Sequence, residues 1–203
     1  MPKIVDHEQR RRVLARAVVE VAVQRGLDNA SLRVVAEHAG MSMGTVQHYF
    51  ADREAMLEFV LDYTQQQRTA RIERAVKALA APTPRAILDS LIDEILTVDE
   101  TNAMFEQVHI MFIDRAQRHR VSAERLSVGR SEVIRLFTGL LQGQSLRADI
   151  NPRQAAEVLW VLLESLPTAI SLGQHTGDSA RAVVRDYLND IVKDPPMSPE
   201  PAP

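Results

Sequence analysis

Apolar residues recur along this chain at helical spacing. Leu32, Val35, Ala36 and Ala39 stand at i, i+3, i+4 and i+7 and leave Arg33, Glu37 and His38 off the stripe, so a short helix is expected there with Ser31 as its N-cap. Gly40 follows the last periodic residue, where the left-handed backbone that ends a helix costs glycine little. Ser42 is expected to cap a second short helix from Met43 to Phe50. Only Val46 and Phe50, one turn apart, need to face inward. Asp52 caps a third helix, and Glu54 in its first turn suits the helix dipole.

Beyond this point the chain still reads as helix after helix. Leu57, Val60, Leu61 and Thr64 begin a long one reaching about Leu79, stopped by Pro82 and Pro84. Further helices are expected over 86–98, 102–119 and 123–142, with Gly143 and Asp149 in loops. Asn151-Pro152 opens another, a cap followed by the residue best tolerated at the first helical position. Apolar residues surround that helix from Ala155 to Leu172, so it must be covered on both sides, and Pro167 is expected to kink it. Asp178 is expected to cap a final helix whose stripe is Ala180, Val183, Val184, Tyr187, Leu188 and Ile191. No strand alternation of useful length and no internal repeat occur, so the class is all-α. Residues 194–203, DPPMSPEPAP, are expected to form a disordered tail.

Two short helices hinged at a glycine, followed at once by a third, form the pattern of a helix-turn-helix, which places its second helix in the DNA major groove. Taken alone, the pattern also fits an ordinary helical hairpin in an all-α core. The outward residues of the second helix, Met43, Gly44, Thr45, Gln47, His48 and Tyr49, suit base edges and phosphates better than a core. Ser31, Ser42 and Thr45 offer short hydroxyls near helix N-termini, where exposed amides favour a phosphate; plain capping explains them too. Gly44 would let the helix approach the sugar-phosphate wall. Arg33 and Tyr49 are candidate backbone clamps, against the alternatives of a solvated charge and a half-buried ring. Arg10, Arg11 and Arg12 form the dense basic run of the chain.

The N-terminal region resembles the DNA-binding domain of the tetracycline-repressor (TetR) family. The matching positions are Gly26, Ser31, Ala36, Ala39, Gly40, Gly44, Thr45, Val46, Tyr49, Phe50, Arg53, Glu54 and Leu57. Two positions depart from that pattern. Gln47 stands where the family most often has a backbone-contacting tyrosine, and Arg53 replaces a lysine. Gln47 can pair with adenine N6 and N7 or reach only a phosphate. Arg53 keeps the charge and is expected to keep a phosphate contact. The resemblance implies an N-terminal three-helix helix-turn-helix DNA-binding domain over 1–53. It implies a C-terminal helical ligand-binding and dimerisation domain over 54–193.

Charge agrees with this division. The chain of 203 residues carries a net −3, yet residues 1–53 hold eight Lys or Arg against six Asp or Glu, a net of +2, which leaves −5 for the rest. A mildly basic DNA end and an acidic remainder limit non-specific adhesion. There is no cysteine, hence no disulfide framework or thiolate site. The N-terminus lacks the apolar core of a signal peptide, and the longest apolar run, Val158 to Leu163, is far short of a membrane span. A cytoplasmic protein with no membrane partner is expected. No HExxH, phosphate loop, GxSxG or paired-histidine motif occurs, so no catalytic residues, metal ligands or cofactor are expected.

The expected function is that of a ligand-responsive transcriptional regulator, a repressor that binds a palindromic double-stranded DNA operator as a homodimer and is released by a small-molecule effector. The dimer is expected to form through the last two helices, about 152–172 and 179–192, as a four-helix bundle. Candidate effector contacts are Met104, Phe105, Phe112 and Trp160, with His109 as a polar handle. Trp160 and Glu164, i and i+4, offer an aromatic face and a carboxylate to a cation. The C-terminal half is faintly similar to the branch of the family that includes choline-responsive regulators. The alternative is a helical ligand-binding or interaction module that no longer reads DNA specifically.

Overall fold

A computed structural model of the chain describes residues 3–97 and 99–193. The tail expected over 194–203 lies outside the described residues. Among these, nine α-helices follow in order: α1 (Lys3–Arg25), a single 3-10 turn (Leu27–Asn29), α2 (Leu32–His38), α3 (Met43–Tyr49), α4 (Arg53–Lys77), α5 (Pro84–Ile95), α6 (Glu100–Ala116), α7 (Arg120–Gln142), α8 (Pro152–Ser171) and α9 (Gly177–Ile191). No strand occurs among the described residues beyond an isolated bridge between Leu146 and Val192. None of these helices is long and apolar enough to cross a membrane.

The fold divides into two compact units, one of Met1–Arg71 with Val98–Leu126 and the other of Ile72–Thr97 with Ser127–Pro203. In the first, the i, i+3, i+4 stripe of α1, Leu14, Ala17, Val18, Val21 and Ala22, is fully buried against Val35 and Ala36 of α2, Val46 of α3, Met56, Leu57, Val60 and Leu61 of α4, and Val108 and Phe112 of α6. α1 stops at Gly26, whose φ of 83° only glycine adopts without strain. In the second, Leu88, Leu91 and Ile92 of α5, Phe137 and Leu141 of α7, Ala156, Leu159 and Leu163 of α8, and Ala180, Val184 and Leu188 of α9 form a separate core. Polar ties fasten it: Tyr187 donates its hydroxyl to Ala155 O at 3.0 Å, and Arg181 and Arg185 both reach Asp93 at 3.1 Å.

Several helix starts differ from those the sequence suggests. Pro84 does not merely stop α4; it opens α5 behind the cap Thr83. α6 begins at Glu100, because the Asp99 carboxylate accepts from Asn102 N. α7 begins at Arg120. Asp178 is not the cap of α9. Thr176 is, in a reciprocal pair where Ser179 N donates to Thr176 Oγ1 at 3.1 Å and Thr176 N donates to Ser179 Oγ at 2.9 Å. α8 stays helical through Pro167.

Candidate nucleic-acid interface

α3 has seven residues, too few to hold a helix alone in water. Two side chains fix it to the core: Val46 is 0% exposed and Phe50 2%, together contributing about 3–6 kcal/mol by burial. Its start is set by Ser42, whose Oγ accepts from Thr45 N at 3.1 Å and is hydrogen-bonded to the Thr45 hydroxyl at 2.8 Å. α2 is built the same way, with Ser31 Oγ accepting from Val34 N at 3.3 Å. Between them Gly40 turns the chain at φ 63°. Asp52 Oδ1 accepts from Ala55 N at 2.8 Å and opens α4. Each cap contributes about 1 kcal/mol, so the orientation of α3 is settled before any ligand arrives.

What α3 leaves outside is polar or small. Ser42, Met43, Gly44, Gln47 and His48 are exposed, and Thr45 and Tyr49 half-buried. Gly44 is not demanded by packing, since an added Cβ would find Ser42 Oγ at 3.9 Å as its nearest neighbour, an ordinary contact. At the end of α3 the rings of His48 and Tyr49 meet His7 of α1, with centroids 5.5 and 5.2 Å from it. Arg33 projects from α2 into solvent. His38 Nε2 is hydrogen-bonded to Glu20 Oε2 at 2.8 Å, which ties α2 to α1. That bond, with help from Arg16, holds the Glu20 carboxyl below its usual pKa. In the basic run, Arg11 lies over the Phe59 ring at 4.5 Å.

Arg53 behaves differently from the expectation. Its guanidinium turns inward, Nε donating to Ala30 O at 3.2 Å and Nη2 to Leu27 O at 2.8 Å. It thereby clamps the first turn of α4 to the segment before α2. A hydrogen bond between residues 26 positions apart leaves no trace in local sequence.

Of the candidate effector contacts, Met104, Phe105, His109 and Phe112 all lie on α6 in the first unit, where Phe112 is 1% exposed and the Met104 and Phe105 side chains pack on the same core. Burial, assisted by the nearby Arg68, lowers the His109 pKa to about 4, so its ring is neutral at neutral pH. Trp160 and Glu164 lie on α8 in the second unit.

Two short capped helices at a glycine turn, the second fixed by two buried side chains and otherwise outward-facing, define a helix-turn-helix module. Residues 14–60 match the family model "Bacterial regulatory proteins, tetR family". The chain is 36% identical to the HTH-type transcriptional regulator PksA of Bacillus subtilis (strain 168) over 101 residues, 50% of this chain and 49% of that protein. It is 29% identical to the HTH-type transcriptional regulator BetI of Ectopseudomonas mendocina (strain ymp) over 192 residues, covering 93% of this chain and 96% of the relative. Among solved structures, a TetR transcription regulator from Haloarcula marismortui ATCC 43049 shares the fold with a TM-score of 0.80 at 16% identity, over 92% of this chain and 100% of that one. A transcriptional regulator from Saccharomonospora viridis, solved in complex with choline, does so with a TM-score of 0.81 at 16% identity and the same coverage. The chain belongs to the TetR family and is a transcriptional regulator.

Proposed function

We propose that this regulator is a homodimeric repressor that binds a palindromic operator through α3 and is released by a small-molecule effector. The observation that carries the reading is the outer face of α3, where Gln47 is exposed on a helix held by Val46 and Phe50 alone. Thr45, Gln47 and His48 supply hydrogen-bonding groups for base edges and phosphates. Ser31, Arg33, Ser42 and Tyr49 bracket them with backbone contacts, and Gly44 permits close approach. Residues 1–53 read DNA in this proposal, while 54–193 bind effector and partner subunit.

Dimerisation is supported by what α8 and α9 leave uncovered. Val158, Val161 and Leu172 of α8 are 46%, 55% and 66% exposed, and Val183 of α9 is 38% exposed. The α8 positions fall on one stripe opposite its buried Leu159, Leu163 and Leu166. A second copy covering this stripe gives the four-helix arrangement that two half-sites require.

For the effector, the chemistry of α8 favours a small organic cation. Trp160 Nε1 is buried without a hydrogen-bond partner among the described residues, a condition that costs about 1–3 kcal/mol and that a ligand acceptor would relieve. Glu164, one turn on, supplies negative charge beside the ring. The choline held by the Saccharomonospora viridis protein belongs to the same chemical class.

The test is fluorescence anisotropy of the full-length protein on its own upstream intergenic DNA, with a scrambled duplex and a salt titration. Binding that favours the operator by about a thousandfold or more, lost on adding choline, is expected. In the same assay Gln47→Ala costs about 1–3 kcal/mol at the operator and little at the scrambled duplex. Equal, weak, salt-sensitive binding to both duplexes overturns the reading.

A further inference from the structure

At the turn from α6 into α7 a cleft of about 230 Å³ opens beside the start of α4. Its walls combine two kinds of surface. Leu57, Leu61 and Phe112 are buried apolar side chains that form a floor. Three arginines, Arg115, Arg120 and Arg125, stand against two carboxylates, Glu54 and Glu58. Arg125 is already matched, reaching Asp62 at 2.5 Å and Glu58 at 3.3 Å. Arg120 meets Glu124 at 3.1 Å, but that pair is largely solvated.

Arg115 is the unusual member. It is 6% exposed, and its Nη2 donates to Glu54 Oε2. Glu54 itself is 55% exposed and is shared with Arg53, whose Nη1 lies 3.5 Å from Glu54 Oε1. A buried guanidinium needs an anion beside it, and here that anion hangs in from a half-solvated side chain. The first amides of α7, at Arg120, Val121 and Ser122, point into the same cleft wall and favour negative charge there. At interior packing density the cleft holds about ten non-hydrogen atoms.

We propose that this cleft is a second effector site, one for a small monocarboxylate with an apolar body. The ligand carboxylate takes the place of Glu54 on Arg115, and its body lies on Leu57, Leu61 and Phe112. Displacement frees Glu54 from α6 at the point where α4 begins. Arg53, which clamps Leu27 and Ala30, then has a competing full charge at its side. Occupation of the cleft is thereby coupled to the seating of α2 and α3. The site lies within the first unit and is separate from the Trp160 and Glu164 chemistry of α8.

The probe is phenylacetate, with phenylacetamide as its uncharged twin and inorganic phosphate as a bare anion. Binding to the full-length protein is read by calorimetry and thermal shift without DNA, so that the outcome does not depend on operator recognition. Phenylacetate is expected to bind saturably and the amide at least about tenfold more weakly. Glu54→Gln removes the competing carboxylate and is expected to tighten phenylacetate several-fold, the opposite of what a merely structural role of Glu54 gives. Arg115→Gln is expected to abolish binding; if that variant does not fold, Glu54→Gln decides. Equal binding of acid and amide, phosphate binding as tightly as phenylacetate, no binding at all, or affinity unchanged or weakened in Glu54→Gln overturns the proposal.

Discussion

Replacing Arg53 by alanine separates two roles that one side chain might fill. In the structure it donates to Ala30 O and Leu27 O at 3.2 and 2.8 Å while 31% exposed. Hydrogen bonds from a charged donor are typically worth about 1.5–3 kcal/mol each. Partial exposure lets water take over some of the freed carbonyls, so about 1 kcal/mol per bond, or about 2 kcal/mol in all, is the expected loss. For a chain of this size that lowers Tm by roughly 4–8 °C. Arg53→Lys keeps one bond at most and loses about half as much. The assay is thermal unfolding of both variants beside a salt titration of operator binding. If Arg53 is a clamp, stability falls and the dependence of log K on log salt keeps its slope. An unchanged Tm with a slope reduced by about 0.9 would show a phosphate contact instead and refute the reasoning.

Gly44→Ala is expected to leave Tm unchanged or slightly raised, because the added Cβ meets nothing closer than 3.9 Å and alanine is the better helix former. Operator affinity falls all the same if α3 approaches the sugar-phosphate wall, and an unaltered affinity would place Gly44 away from DNA. His109, with its pKa lowered to about 4 by burial, binds its proton only in the unfolded chain between about pH 6.5 and 4. Stability is therefore expected to fall as pH drops through that window, by up to about 3 kcal/mol. His109→Gln flattens this part of a pH series of denaturant melts; the same slope in the variant assigns it to other groups. Val161→Glu buries an unpaired charge from each subunit in the proposed interface and is expected to weaken the dimer on the order of a hundredfold or more. Sedimentation velocity reads it, and an intact dimer at micromolar concentration would move the interface elsewhere.

Local chemistry marked the DNA-facing end well. Ser31, Ser42, Asp52 and Gly40 each do what their residue type and offset suggest, since caps and left-handed turns involve neighbours three residues away. At the start of α9 the same logic met three adjacent candidates, Thr176, Asp178 and Ser179, and only the geometry selects the Thr176 and Ser179 pair. The role of Arg53 was hidden for a different reason: its acceptors are backbone carbonyls far back in the chain, and carbonyls carry no residue identity. Periodicity likewise announced that α8 is apolar all round. It could not say which side meets α5 and α9 and which stays exposed. The cleft beside Arg115 was equally illegible, because Glu54, Phe112 and Arg120 come from three separate helices.

The doubled capping at Ser42 and Thr45, with Gly40 already in its turn, has a kinetic consequence. A surface whose hydroxyls and backbone are in place before contact has no ordering step to perform during the encounter. With a charge of only +2 over residues 1–53, steering adds little, and association should run at the unremarkable about 10⁵–10⁷ M⁻¹ s⁻¹ of a rigid docking event. Operator and random sequence would then be met at similar rates. What distinguishes them is how long the protein stays, so the memory of the correct site resides in its dissociation.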